Sequence, residues 1–341
     1  MPPNDSKSNQ TKGSQSAAGP ASIQDALALA MQHVRANRID EAERIYRHVL
    51  ELEPNHVIAL HRLGVIAHMA GQSDAAIQLI GDAVSIAPDY SGAHSNLGNV
   101  FLDLGRFEEA IDCYGRAIAA KPDYSQAHAN LGLALQNAGK VDAAIASYNK
   151  SLSIAPQDAN THCNLGNAYL SKNDLDAAAQ CYRNALAIKP DFAEVHCNLG
   201  STLKHQGKIQ EALQAYRKAI SLSPNYVAAH NNLGTAHQKI GELEEAIACY
   251  RKALSIQANF VDSLSNLGSA LWALRRLEEA AQNYQRAIDA DPKQYEAIGS
   301  LGSILLAMGK TKEGLEMEQK GFGVINFNVS DGVNYNFGSK T

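Results

Sequence analysis

The apolar positions of this chain fall on a grid of 34 residues. Leu63, Leu97, Leu131, Leu165, Leu199, Leu233, Leu267 and Leu301 are each followed by glycine. Thirteen residues after each of the first seven stands an alanine, from Ala76 to Ala280. Four further on come Ile80 and then Tyr114, Tyr148, Tyr182, Tyr216, Tyr250 and Tyr284. Pro88, Pro122, Pro156, Pro190, Pro224 and Pro292 close the units, with Ala258 as the exception. A fixed 34-residue period predicts a solenoid of helix-turn-helix units. The first helix of each unit carries Leu-Gly and the second carries the alanine and tyrosine. Glycine and alanine let the two helices approach closely, and the tyrosine fills the space between them. Acidic pairs such as Glu108-Glu109 and Glu244-Glu245 open the second helix, and Arg217-Lys218 and Arg251-Lys252 lie toward its end, as the helix dipole favours.

The grid sets the organisation of the chain. Residues 1–20, rich in Ser, Asn, Gln, Gly and Pro, are expected to form a disordered tail. A solenoid is expected over residues 21–320. Its first repeat is atypical, with Leu29-Ala30 in place of Leu-Gly, as a terminal unit with one free face should be. Its ninth is degenerate: Gly314 replaces the alanine and Glu318 the tyrosine. Residues 321–341 are expected to form a β-hairpin tail, because Ile325–Val329 and Val333–Phe337 alternate apolar and polar around Ser330-Asp331-Gly332. A three-residue loop there pairs Val329 with Val333, Phe327 with Tyr335 and Ile325 with Phe337.

The most informative polar position precedes Leu-Gly. It is Asn96, Asn130, Asn164, Asn198, Asn232 and Asn266, with Arg62 and Ser300 at the outer units. Asparagine is a modest helix former, so six at one phase point to use of the amide, which both donates and accepts. Their neighbours on the first helix are small or polar, among them Asn99, Asn167, Asn231, Cys163, Cys197 and Ser201, with no Lys/Arg cluster.

The spacing Leu-Gly, Ala-x3-Tyr, Pro resembles the tetratricopeptide repeat over residues 23 to about 320. The resemblance implies an all-α, right-handed superhelical solenoid of eight to nine repeats. Ala93-His94-Ser95-Asn96-Leu97 and Ala127-His128-Ala129-Asn130-Leu131 resemble the repeats of O-GlcNAc transferases in particular. That likeness implies a concave groove in which an asparagine ladder holds a peptide backbone. With rungs about 10 Å apart and about 3.3–3.6 Å per extended residue, six rungs would span roughly 15 residues. The absence of a basic cluster departs from the family's chaperone-binding members, whose clamp grips a carboxylate.

Charge and composition narrow the partners. A net charge of -5 and a pI near 6.2 give no bulk attraction to nucleic acid or anionic membrane. No stretch approaches the roughly 20 apolar residues of a membrane span, and the N-terminus lacks a secretory core. A cytoplasmic location is expected. The five cysteines are read as small packing residues in a reducing compartment. His94, His128, His162, His196 and His230 form a second series, but convergence on a metal is not expected at this spacing. No phosphate loop, no H-E-x-x-H and no G-x-S-x-G occurs, and nothing calls for a cofactor. The reading is a non-enzymatic scaffold that binds a protein or peptide partner in extended conformation. The alternatives are the substrate-recruiting repeat module of a glycosyltransferase or other modifying enzyme whose catalytic part is absent from this chain, and a self-associating structural solenoid.

Overall fold

The computed structural model describes residues 22–322 and the backbone of strand residues 325–328 and 332–335. The expected disordered tail, residues 1–20, lies outside the described residues. The chain divides into two compact units, one ending at Lys140 and the other starting at Val141.

The first unit holds α1 (Ile23–Arg35), α2 (Ile39–Leu52), α3 (Val57–Met69), α4 (Ser73–Ile86), α5 (Ser91–Asp103), α6 (Phe107–Ala120) and α7 (Ser125–Asn137). The second opens with α8 (Val141–Ile154), α9 (Ala159–Ser171), α10 (Leu175–Ile188), α11 (Ala193–His205), α12 (Ile209–Leu222) and α13 (Val227–Lys239). It continues with α14 (Leu243–Ile256), α15 (Val261–Ala273), α16 (Leu277–Ala290), α17 (Tyr295–Ala307) and α18 (Thr311–Phe322). These 18 helices are the two per repeat that the 34-residue grid predicts. Within each unit a first helix packs on the second helix of its own repeat, as α5 does on α6 and α11 on α12, and neighbouring first helices also touch, as α3 with α5 and α11 with α13.

The turn between the two helices of a repeat is the same each time. Its central residue has positive φ: Asn37, Gly71, Gly105, Gly139, Asn173, Gly207, Gly241, Arg275 and Gly309, at φ between 56° and 82°. The chain there folds back so that, for example, Arg106 N–H reaches Phe101 O at 2.9 Å and Gly105 N–H reaches Leu102 O at 3.0 Å. This doubly bonded cap satisfies the last carbonyls of the first helix. Arginine is costly in that conformation and glycine is not, which makes Arg275 the odd member.

The core runs along the helix pairs. Tyr114, Tyr148, Tyr182, Tyr216 and Tyr250 are fully buried. Gly98, Gly166, Gly200, Gly234 and Gly268 of the Leu-Gly pairs each lie against a core tyrosine ring: a Cβ on Gly166 would stand 2.6 Å from Tyr182 Cε1, and one on Gly234 2.6 Å from Tyr250 Cε1. In the second repeat Ile80 takes the ring's place against Gly64. The degenerate ninth repeat packs by a different device. A Cβ on Gly314 would meet Gly302 O at 2.9 Å, and one on Gly321 would meet Gly299 N at 2.1 Å, so α17 and α18 touch nearly backbone to backbone. Glu318 stands where the tyrosine would, and Ser303 Oγ donates to its Oε1 at 2.6 Å.

Two sequence expectations are corrected. Arg217-Lys218 and Arg251-Lys252 do not lie in the last turns of α12 and α14, which hold no basic residue. The strands β1 (Ile325–Asn328) and β2 (Gly332–Tyr335) pair antiparallel, but Ile325 faces Tyr335 and Phe327 faces Val333. Gly332 thus belongs to the ladder, opposite Asn328, rather than to the connecting loop. A shift of two keeps the alternation on the same face, so the apolar pattern alone could not distinguish the registers. Val329 and Phe337 lie outside the described residues.

Candidate peptide-binding face

The asparagine positions share one phase on the first helices, and all six are half-buried. In the first unit, Asn96 on α5 donates its Nδ2 to His61 Nε2 of α3 at 2.7 Å. Asn130 on α7 donates to Asn99 Oδ1 of α5 at 2.9 Å, and Tyr114 Oη donates to the same oxygen at 2.7 Å. In the second unit, Asn198 donates to Asn167 Oδ1 of α9 at 3.3 Å, and Tyr182 Oη donates there at 2.7 Å. Asn232 donates to Ser201 Oγ at 3.4 Å, which also receives Tyr216 Oη at 3.1 Å. Asn266 donates to Asn231 Oδ1 at 3.1 Å, joined by Ser263 Oγ at 3.0 Å. Asn164 is half-buried at the same phase of α9.

A single rule describes these bonds. Asn96, Asn130, Asn198, Asn232 and Asn266 are each pinned by their N–H to an acceptor on the preceding first helix, and in three repeats the core tyrosine donates to that same acceptor. Asn99, Asn167 and Asn231 are therefore acceptors within the stack. What stays unengaged in the second unit is the carbonyl oxygen of Asn198, Asn232 and Asn266, for which no donor is found among the described residues. Two cavities open on this face. One of about 310 Å³ in the first unit is lined by Asn96, Asn99, Asn130, His68 and Asp103. One of about 430 Å³ in the second is lined by Asn231, Asn266, Asp262, Glu296, Ser265 and Ser269. Ser265 Oγ is buried there without a partner.

The histidine series has a positive structural role. His94, His128, His162, His196 and His230 each bond through Nε2 to the carbonyl of Pro88, Pro122, Pro156, Pro190 or Pro224, at 2.8–3.1 Å. Each ring therefore donates to the carbonyl that ends the previous repeat. Among the described residues no group of three or more His, Cys, Asp or Glu could hold a metal ion. His61 is different: it faces Tyr90 Oη through Nδ1 at 2.9 Å, and burial, aided by Arg62, lowers its pKa to about 4.

The cysteines are free, and four of the five are buried. Burial pushes the Cys163 thiol up to about 12 and those of Cys113, Cys181 and Cys249 to about 11. Neutral thiols of this kind pack as small apolar groups. No helix among the described residues is long and apolar enough to cross a membrane.

Sequence reasoning missed the cations on this face. Lys204, half-buried at the end of α11, donates from Nζ to Thr235 Oγ1 at 2.9 Å, and Lys239 at the end of α13 reaches the Lys204 carbonyl at 3.5 Å. The absence of a basic cluster is corrected accordingly. The two lysines are 35 residues apart, one position off the repeat phase, so a search at fixed phase cannot pair them.

The family model of the cilia and flagella-associated protein 70 C-terminal domain matches residues 4–231. Two tetratricopeptide repeat models match residues 227–260 and 261–294. A search of the curated proteins gives no match. Among solved structures, the fold is similar to a chain of the APC/C hetero-tetramer Cut9-Hcn1, at 17% identity and TM-score 0.59, covering 82% of this chain and 55% of that one. It is similar to pilF of Pseudomonas aeruginosa at 22% identity and TM-score 0.52, covering 57% of this chain and 88% of that one. MamA aligns at 26% identity and TM-score 0.45, covering 48% of this chain and 95% of that one.

Proposed function

The chain belongs to the family of the cilia and flagella-associated protein 70 C-terminal domain, a non-catalytic tetratricopeptide-repeat family, and on that premise we propose that its asparagine face binds an extended segment of a partner protein. Repeats of this kind generally bind protein partners. The finer likeness to O-GlcNAc transferases is not what the family model carries, and it contributes only the idea of a ladder.

One observation carries the reading. The Asn198, Asn232 and Asn266 amides are held by their N–H ends, with their carbonyl oxygens unengaged. A pinned amide has little rotamer entropy left to lose, so an incoming peptide N–H meets a preorganised acceptor. The four rungs of the second unit, Asn164 to Asn266, would meet roughly every third peptide bond of a segment of about nine residues, at rungs about 10 Å apart. Each such bond contributes about 0.5–1.5 kcal/mol net. Single Asn→Ala changes are then nearly silent, whereas replacing Asn164, Asn198, Asn232 and Asn266 together should remove several kcal/mol of binding. The test is selection of random 16-residue peptides displayed on phage, with wild type and this quadruple variant side by side. Enrichment on both proteins alike would refute the ladder. The family name carries an association with cilia and flagella, which makes their structural proteins the first natural partners to examine.

The hairpin β1–β2 is assigned a covering role. Leu315, Phe322 and Tyr295 leave apolar surface exposed at the last helix pair, and a lone hairpin needs a face to pack on. Truncation after Phe322 should then give aggregation at concentrations where the full chain is monodisperse. Equal solubility would remove that role.

A further inference from the structure

Lys204 and Lys239 lie near the ends of α11 and α13, two neighbouring first helices of the second unit. The helix dipoles favour a cation at each end, but they do not draw the two together. Here Lys204 Nζ crosses to Thr235 on α13, and Lys239 Nζ reaches back to the Lys204 carbonyl on α11. An ammonium has three N–H donors, so each lysine keeps two after these bonds.

The charge is also uncompensated. Among the described residues no carboxylate pairs with either lysine, although other cations of this unit are matched: Lys172 by Asp142, and Arg276 by Glu279. Glu242, just past α13, is engaged by the buried His237. Cys197 does not supply the missing charge, because burial raises its pKa and keeps the thiol protonated. Burial first, and the Lys239 charge second, lower the Lys204 pKa, which shows the same deficit from the other side. A half-buried cation next to a second cation is stabilised by an anion that shares both. The pair lies beside Thr235 and Asn232, on the ladder itself, since Thr235 Oγ1 donates to Asn232 O at 2.9 Å.

We propose that Lys204 and Lys239 form a carboxylate-binding subsite on the asparagine face, which selects an Asp or Glu side chain in the bound segment. The proposal rests on the groove reading above and adds a sequence preference to it. A ladder that reads peptide amides treats all sequences alike, whereas two convergent ammoniums reject a basic residue and hold an acidic one by charge-assisted hydrogen bonds.

The test uses the full chain and the displayed 16-residue library, in which every peptide is fused at its C-terminus and so offers only side-chain carboxylates. Enriched peptides should share an acidic position on wild type and lose that preference on the Lys204→Met, Lys239→Met variant. A synthetic, C-terminally amidated copy of an enriched peptide should bind wild type about five- to tenfold more weakly when its acidic residue is changed to the amide, about the worth of one charge-assisted bond. The same peptide pair should bind the double variant equally. The peptide-side change keeps the test valid even if the double variant is less stable. Enriched peptides without an acidic preference, or an acid-to-amide loss of equal size on the variant, would overturn the subsite and leave the groove reading standing. Enrichment of no peptide on wild type would overturn both.

Discussion

Changing Gly200 to alanine sets two physical effects of opposite sign against each other. Alanine is the better helix former by about 1 kcal/mol, so on an isolated helix the change stabilises. In the folded chain, the new Cβ would lie 2.7 Å from Tyr216 Cε1, 2.8 Å from Cδ1 and 3.1 Å from Cζ. Carbon atoms rest at about 3.5–4.0 Å, so three ring atoms are overlapped by roughly an ångström at the closest. The ring cannot step aside, because it is fully buried and its hydroxyl is tied to Ser201. Separating α11 from α12 is the remaining relief, and overpacking of this kind costs about 1–3 kcal/mol. With three atoms overlapped and the ring fixed, the cost lies at the upper end. The net expectation is a loss of about 1–2 kcal/mol after the propensity gain. The internal control is Gly115, exposed on α6, where an added Cβ meets nothing within 4 Å. Gly115→Ala should stabilise by about 0.5–1 kcal/mol. Urea unfolding followed by far-UV circular dichroism reads both. A Gly200→Ala midpoint at or above wild type would refute the close-approach argument.

Four further outcomes are expected. Tyr182→Ala should cost about 3–5 kcal/mol, as large aromatic truncations in cores do, and an unchanged melt would contradict its burial. Arg275→Gly should raise stability by about 1 kcal/mol by relieving a left-handed arginine, and a lower melting temperature would show that its side chain contributes more than its backbone costs. The buried thiols, raised to between about 11 and about 12 from an ordinary 9.0, keep protons in the folded state that the unfolded chain releases. Stability should therefore fall as pH rises above about 9, and a melting temperature that holds or climbs to pH 11 would contradict this. His61, lowered to about 4 from 6.5, is neutral in the fold while the unfolded chain takes up a proton. Stability should fall as pH drops from 6.5 toward 4, and less so in His61→Gln; equal slopes would exclude His61 as the cause.

The fold was legible in the sequence because a solenoid repeats its own instructions. Leu97-Gly98 and Tyr114, taken alone, are ambiguous, but at one spacing through six units they fix which helix carries glycine and which carries the ring. The site was less legible. The asparagine phase was visible, but its partners belong to the preceding repeat, and which residue receives the amide depends on how one helix is rotated against the next. Asn130 finds Asn99, 31 residues back, whereas Asn266 finds Asn231, 35 back. The bonds from His94 and its equivalents to proline carbonyls were hidden for a different reason, since a backbone acceptor leaves no mark in the sequence. The ninth repeat read as degraded because Glu318 is not aromatic, yet its carboxylate meets Ser303 just as the Tyr182 hydroxyl meets Asn167, each 15 residues back.

The bonds by which ladder amides such as Asn130 and Asn232 hold the repeat before them have a consequence for how the gene can change. Every bond of this kind joins a unit only to its predecessor, so an extra copy of 34 residues brings its own donor and offers its own acceptor. Duplication or loss of one whole unit leaves every remaining amide with a counterpart of the same class, wherever the breakpoints fall within the repeat. An insertion of any other length inside a first helix turns the rest of that helix off the ladder phase and strands its half-buried amide, whereas one in a turn leaves the rungs untouched. Length variation that changes the binding face should therefore come in steps of 34 residues, and the face would lengthen or shorten by one rung at each step.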